Sequence, residues 1–249
     1  MPTKTLKLIN ALALVFALVM NTLANALPLG GKDTGELSAL YPNLFVPAGF
    51  TFAIWGLIYL LLIIFVIWQW AGDSEDVVRK IGPWFAVNTI ANGTWIAVWH
   101  GQLVWLSIVV MLVLLFSLMK MYSILKISYP SIDVAWKVPI SVYLGWISVA
   151  TIANFTTVLV DNGIVGLGLG AANWAAVMLA IAIILALYLV SSRRDVFFAA
   201  VVTWASFGIY SKRVADIGTT DQIVEYTAMG GMAILTLAIL WGLVQLVKK

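Results

Sequence analysis

The sequence predicts an all-α fold: a polytopic membrane helical bundle of about eight transmembrane helices. Three observations carry this. Of 249 residues, 63% are hydrophobic and only 10% are charged, more apolar surface than a soluble domain of this length has interior to hide. Eight apolar segments follow one another, each near the roughly 20 residues that cross a hydrocarbon core. The basic residues then fall into an alternating pattern, with eleven in the segments on one side and three on the other. The eleven are Lys4, Lys7, Arg79, Lys80, Lys120, Lys126, Lys137, Arg193, Arg194, Lys248 and Lys249; the three are Lys32, Lys212 and Arg213. Cytoplasmic loops hold the excess of Lys and Arg, so both termini are expected to be cytoplasmic, and adding or dropping one span would break the alternation.

The segments justify themselves in order. The first, about residues 8–27, is long enough to be a retained helix, whereas Lys4, Lys7 and the small-residue exit Ala24–Ala26 also describe a secretory signal peptide. Leu27–Pro47 connects it to the second. Its glycines and prolines stop a continuous helix, and it is longer than a turn needs. The apolar Leu40, Tyr41, Leu44 and Phe45 read as a folded cap over the bundle mouth, or as a segment resting on lipid headgroups. Spans two to five cover about 47–70, 83–100, 102–123 and 136–160. Spans six to eight cover about 171–191, 196–211 and 226–247, the seventh being the shortest. Gly166–Gly170 and Gly230–Gly231 offer small residues for close helix contact.

Several functions lose their support at this point. No cysteine is present, so there is neither a disulfide nor a thiolate site. No Asp, Glu, Lys or Arg stands near the middle of a span, where proton pumps, ion-coupled carriers and voltage sensors keep one. No phosphate-binding loop or HExxH motif occurs, and no set of residues suggests hydrolysis, so the chain is read as a non-enzyme with no metal site. The net charge of +3 comes from short loops and does not point to nucleic acid. His100, the single histidine, sits at the outer edge of span three. It reads as an interfacial side chain, with axial haem ligation as the alternative.

Twelve tryptophans remain to be explained. Trp68, Trp70, Trp84, Trp99, Trp105, Trp136, Trp174 and Trp241 lie near span ends, where indole favours the interface. Trp55, Trp95, Trp146 and Trp204 lie deeper, and an indole N–H in hydrocarbon wants an acceptor that lipid lacks. Helical spacing places Phe52, Trp55 and Tyr59 on one face of span two. It does the same for Asn88, Asn92, Trp95 and Trp99 in span three, and for Tyr143, Trp146, Ala150 and Asn154 in span five. Aromatic walls with sparse hydrogen-bonding groups describe a small-molecule pocket. The same asparagines also read as glue that bonds helix to helix.

These three stripes resemble the TspO/MBR family, the tryptophan-rich sensory proteins that include the translocator protein (peripheral benzodiazepine receptor). "YLGWISVATIAN" (Tyr143–Asn154) fits the family pattern YLxWxSxATxxN without a gap, and "NGTWIAVWHG" fits NxxWxxxxxG through Asn92, Trp95 and Gly101. "PAGFTFAIWGLIY" (Pro47–Tyr59) is similar to the PPGWxF…W…Y signature. There are departures. Ala97 stands where the family has a proline, Phe50 replaces a tryptophan, Gly49 to Trp55 is one residue shorter, and a proline is displaced to Pro139. The segment after span five has no cholesterol-recognition pattern. A match at Leu118, Tyr122 and Lys126 is a weak one.

The resemblance covers about residues 5–160. It implies a five-helix TspO/MBR-like bundle over 1–160, with 161–249 as a three-helix C-terminal membrane extension. It also implies a hydrophobic pocket in the outer half, under the first long loop, formed by Trp55, Tyr59, Asn92, Trp95, Tyr143, Trp146, Ala150 and Asn154. The expected ligand is a small hydrophobic aromatic molecule of the tetrapyrrole kind, protoporphyrin or haem, held as by a sensor or regulator with no cofactor required. Homodimerisation is implied as well. The alternatives are a transporter of an apolar metabolite and a structural or partner-binding protein with a lipid-filled cavity.

Overall fold

The computed structural model describes residues 1–26, 31–125, 136–216 and 222–247, and its regular structure is helical throughout. Lys126, Lys248, Lys249 and the first residues of the long connection, 27–30, lie outside the described residues. Eight long helices coincide with the eight expected segments: α1 (Thr3–Ala26), α3 (Ile54–Ala71), α5 (Trp84–His100), α6 (Val104–Ile124), α7 (Lys137–Asp161), α8 (Ala171–Arg193), α9 (Val196–Ala215) and α10 (Gln222–Val247). Six are long and apolar enough to cross a membrane: α1, α3 with its lead-in, α6, α7, α8 and α10. The other two, α5 and α9, fall short of that measure; α5 has 17 residues. The chain is a multi-pass integral membrane protein, with the lipid bilayer as its surroundings.

Two short helices complete the order. The first, α2 (Thr34–Ala39), is started by a capping box: the Asp33 carboxylate accepts from the Glu36 N–H, and Glu36 accepts from the Asp33 N–H. The second, α4 (Glu75–Ile81), is an amphipathic turn in what the sequence read as a plain connection. Its acids lead and its bases follow, matching the helix dipole, and Lys80 pairs with Asp76 at 2.6 Å. That pair is exposed and worth ~0.3–0.5 kcal/mol.

The packing centre is α7, which lies against α3, α6 and α9 and buries Tyr143, Trp146 and Ile147 almost completely. On one side of it α6, α5, α1 and α3 pack in turn; on the other, α9 joins α8 and α10. Glycines set two of the close approaches. At Gly145 an added Cβ would stand 3.0 Å from Val201 of α9, and at Gly231 one would collide with Ile183 of α8. Gly231 therefore does what small residues were expected to do. Gly166–Gly170 does not: these residues make the turn between α7 and α8, with positive φ at Gly166, Gly168 and Gly170.

The long connection is a folded cap in its described part. Leu37, Phe45 and Val46 are buried, and Tyr41 packs on Trp99 at 6.0 Å between ring centroids. The far end of α7 lies beside the cap, where Leu44 and Phe45 share a cavity wall with Thr156 and Leu159, and burial and the nearby Asp161 carboxylate push the Tyr41 hydroxyl above its ordinary pKa. At the opposite end of the bundle, Asn10 of α1 donates to Gln69 of α3 at 3.2 Å.

Candidate functional site

The eight candidate residues lie on three helices: Trp55 and Tyr59 in the first turns of α3, Asn92 and Trp95 at and just past the middle of α5, Tyr143 and Trp146 in the first half of α7, and Ala150 and Asn154 in its second. Asn92 is the hub. Its Oδ1 accepts from Asn21 Nδ2 at 2.9 Å and from the Tyr59 hydroxyl at 3.2 Å, and its Nδ2 donates to the Tyr143 hydroxyl at 2.8 Å. Four helices are tied through one amide. Asn92 and Tyr143 are buried, line neither of the two cavities described below, and are bonded helix to helix.

Around the hub is an aromatic layer. Trp55 stacks on Tyr59 at 5.5 Å and meets the edges of Tyr143 and Trp146 at 5.9 and 6.3 Å. Trp95 and Trp99 stack nearly parallel at 5.5 Å. Trp95 Nε1 donates to Asn154 Oδ1 at 3.5 Å, and Asn154 Nδ2 donates to Ser107 Oγ at 2.9 Å, which links α5, α7 and α6. Trp99, expected at the membrane interface, is instead buried at 5% exposure and donates to the Thr34 carbonyl of the cap at 3.4 Å. The cap supplies a polar acceptor that hydrocarbon does not, and this makes an end-of-helix tryptophan an inside one. Trp174 is likewise buried and donates to Thr156 at 3.2 Å.

Two cavities meet in this layer. The larger, about 510 Å³, lies between α1, the cap and α3, and is lined by Asn21, Asn25, Asp33, Glu36, Trp55 and Tyr59 among others. The smaller, about 50 Å³, lies under the cap between α5 and α7, with Trp95, Trp99, Trp146, Ala150 and Asn154 in its wall. Phe52 and Thr34 border both, so Phe52 is a partition between them. Trp146 Nε1 is buried and has no hydrogen-bond partner. Of the four deep tryptophans it alone carries an unsatisfied buried donor, and it faces the edge of Phe52 at 6.0 Å.

The partition is held from the C-terminal helices. Phe52 belongs to a 3₁₀ segment, Gly49–Ala53, that leads into α3. Trp204 Nε1 of α9 donates to the Thr51 carbonyl at 3.0 Å, and the Ala48 N–H donates to the Gly208 carbonyl at 3.0 Å. Phe50 packs on Trp204 and Phe207 at 5.6 and 5.7 Å. Gly208 lets the segment lie directly on α9, because a Cβ there would collide with Thr51 Oγ1.

Sequence reasoning missed Asn21, Asn25, Thr34 and Ser107. Asn25 Oδ1 accepts from the Thr34 hydroxyl at 3.1 Å and joins α1 to the cap. The four-residue spacing of Asn21 and Asn25 was the available signal. His100 approaches Thr34 Oγ1 at 3.4 Å and lines neither cavity. Among the described residues no group of three His, Cys, Asp or Glu side chains could hold a metal.

Fold and site together define a polytopic helical membrane protein with a tryptophan-lined, capped cavity. The family model for TSPO-like proteins matches residues 7–241, and the chain belongs to that family. The match runs past residue 160 and takes in most of the three C-terminal long helices. Comparison with curated proteins and with solved structures returns no match.

Proposed function

We propose that the protein binds a flat, hydrophobic aromatic ligand of the tetrapyrrole kind at the cap-side site and acts as its sensor or regulator. The unsatisfied Nε1 of Trp146 carries this reading: a buried donor costs ~1–3 kcal/mol when unpaired, and an acceptor atom on a ligand would satisfy it. The larger cavity is within the usual size of small-molecule sites, and its inner wall is the stacked pair Trp55–Tyr59. Ring burial against these faces supplies most of the affinity. The smaller cavity admits a ring only if Phe52 swings aside and joins it to the larger one.

The fit to a tetrapyrrole is good for the ring and poor for free propionates. Asp33 and Glu36 line the larger cavity, so two carboxylates face the ligand's route, while Lys32 is exposed beside them. A neutral aromatic or an esterified porphyrin suits this wall better than a dicarboxylate. In tryptophan-quenching titrations the protoporphyrin dimethyl ester is expected to bind more tightly than protoporphyrin. Trp146→Phe, which keeps an aromatic side chain and removes the donor, should weaken binding roughly tenfold, the worth of about 1.4 kcal/mol. Quenching no greater than that of an unrelated membrane protein would sink the reading and leave a lipid-filled cavity.

A further inference from the structure

A further cavity, of about 360 Å³, lies away from the cap, among α6, α7, α8 and α9. Here α7 and α9 pack side by side and form a floor of Leu144, Phe198 and Val202, all buried. Walls come from α6 and α8, whose Met119, Ile181 and Leu185 are exposed at the rim. The groove therefore opens sideways, on the surface that an apolar multi-pass protein turns to lipid. Along α6 it runs from Leu115 to Ser123, about 12 Å at 1.5 Å per residue.

Three of its four hydroxyls are engaged, and the fourth, Ser123, is exposed at the end of the rim. Ser148 donates to the Leu144 carbonyl at 2.8 Å and Thr151 to the Ile147 carbonyl at 2.7 Å. Tyr122 donates to Asp195 Oδ2 at 2.9 Å. A hydroxyl or amide entering here would lose its water and gain no donor from these three, whereas a hydrocarbon chain loses nothing.

The end toward which α6 and α8 run is basic. Lys120 stands in the last two turns of α6, its Nζ 5.3 Å from the Phe116 ring centroid. Arg193 follows Leu189 by four residues and so continues the groove-facing side of α8, with Arg194 next to it. Asp195, at the same end, is fully buried and is occupied by Tyr122, Ser141 and the Phe198 N–H. An apolar trough ending in surface cations matches a molecule with a hydrocarbon chain and an anionic head.

We propose that this groove is a binding site for an anionic phospholipid, with an acyl chain along the α7–α9 floor and the phosphate among Lys120, Arg193 and Arg194. The site is separate from the cap-side cavities and does not rest on the reading given for them.

The test uses the purified full-length chain and two lipids of identical acyl chains, phosphatidylglycerol and phosphatidylcholine, followed by thermal unfolding and by native mass spectrometry. Phosphatidylglycerol should raise the melting temperature more than phosphatidylcholine and stay bound at higher collision energy. Lys120→Gln/Arg193→Gln/Arg194→Gln should lower its apparent affinity roughly tenfold while the lipid-free melting temperature stays the same. Ser148→Trp, which fills the floor, should abolish retention of both lipids; if that variant does not fold, Ile181→Trp at the rim serves the same purpose. Equal effects of the two lipids, a triple variant that keeps the phosphatidylglycerol preference, or a neutral sterol that displaces phosphatidylglycerol would each overturn the proposal.

Discussion

Asn92 accepts from two side chains and donates to a third, on three other helices, so its removal strands three polar groups in a low-dielectric interior. Asn92→Ala is expected to destabilise the fold by ~1–3 kcal/mol, read as a lowered melting temperature in detergent. Asn92→Asp would be worse still at neutral pH, with a charge where a neutral amide donates to Tyr143. Asp195 gives a residue-scale prediction in pH. Burial pushes its carboxyl above the ordinary value, and the bonds from Ser141, the Phe198 N–H and Tyr122 oppose that only in part. A raised carboxyl pKa means that its stabilising contribution is complete below the unfolded value and is lost as pH rises through the folded one. The melting temperature of the wild type should therefore fall with rising pH above about 4, relative to that of Asp195→Asn, whose side chain does not titrate. Parallel profiles would count against it.

At the scale of elements, the 3₁₀ segment Gly49–Ala53 matters more than its five residues suggest. It carries the Phe52 partition on one side and is fastened to α9 on the other, through Trp204 and Gly208. Gly208→Ala places a carbon against Thr51, whose Cγ2 would be 2.8 Å away. A cost of ~1–3 kcal/mol is expected, partly relieved in the double variant with Thr51→Ala. A double variant no more stable than Gly208→Ala alone would show that the latch is not the strained contact. This segment could not be read from sequence, because its local pattern runs smoothly into span two. Only the partner, more than 150 residues away, makes it distinct. The short amphipathic α4 was missed for a related reason: in an apolar chain its charged residues read as a connection, although Glu75 to Arg79 and Asp76 to Lys80 have helical spacing.

For the whole molecule, the division into 1–160 and 161–249 is a proposal that co-expression tests. The long contact of α7 with α9, closed at Gly145, predicts that the two fragments made together recover a stable protein. A stable 1–160 fragment that ignores the other would make the extension an independent unit. The primary structure is enough to establish the multi-pass helical class, the order of the eight long helices and the faces that carry the aromatic stripes. Hydrocarbon solvent forces helices, and the helical period then fixes which residues share a face. It also carried the family resemblance in spans two, three and five. Whether an asparagine on such a face meets a neighbouring helix is a matter of distance between helices, which local spacing does not contain. Packing drew Asn92 and Tyr143 into a closed hub and left Trp146 Nε1 unpaired. It brought Trp99 under a cap that local spacing could not aim, and it made the far C-terminal helix α9 the support of a segment near the start of the chain.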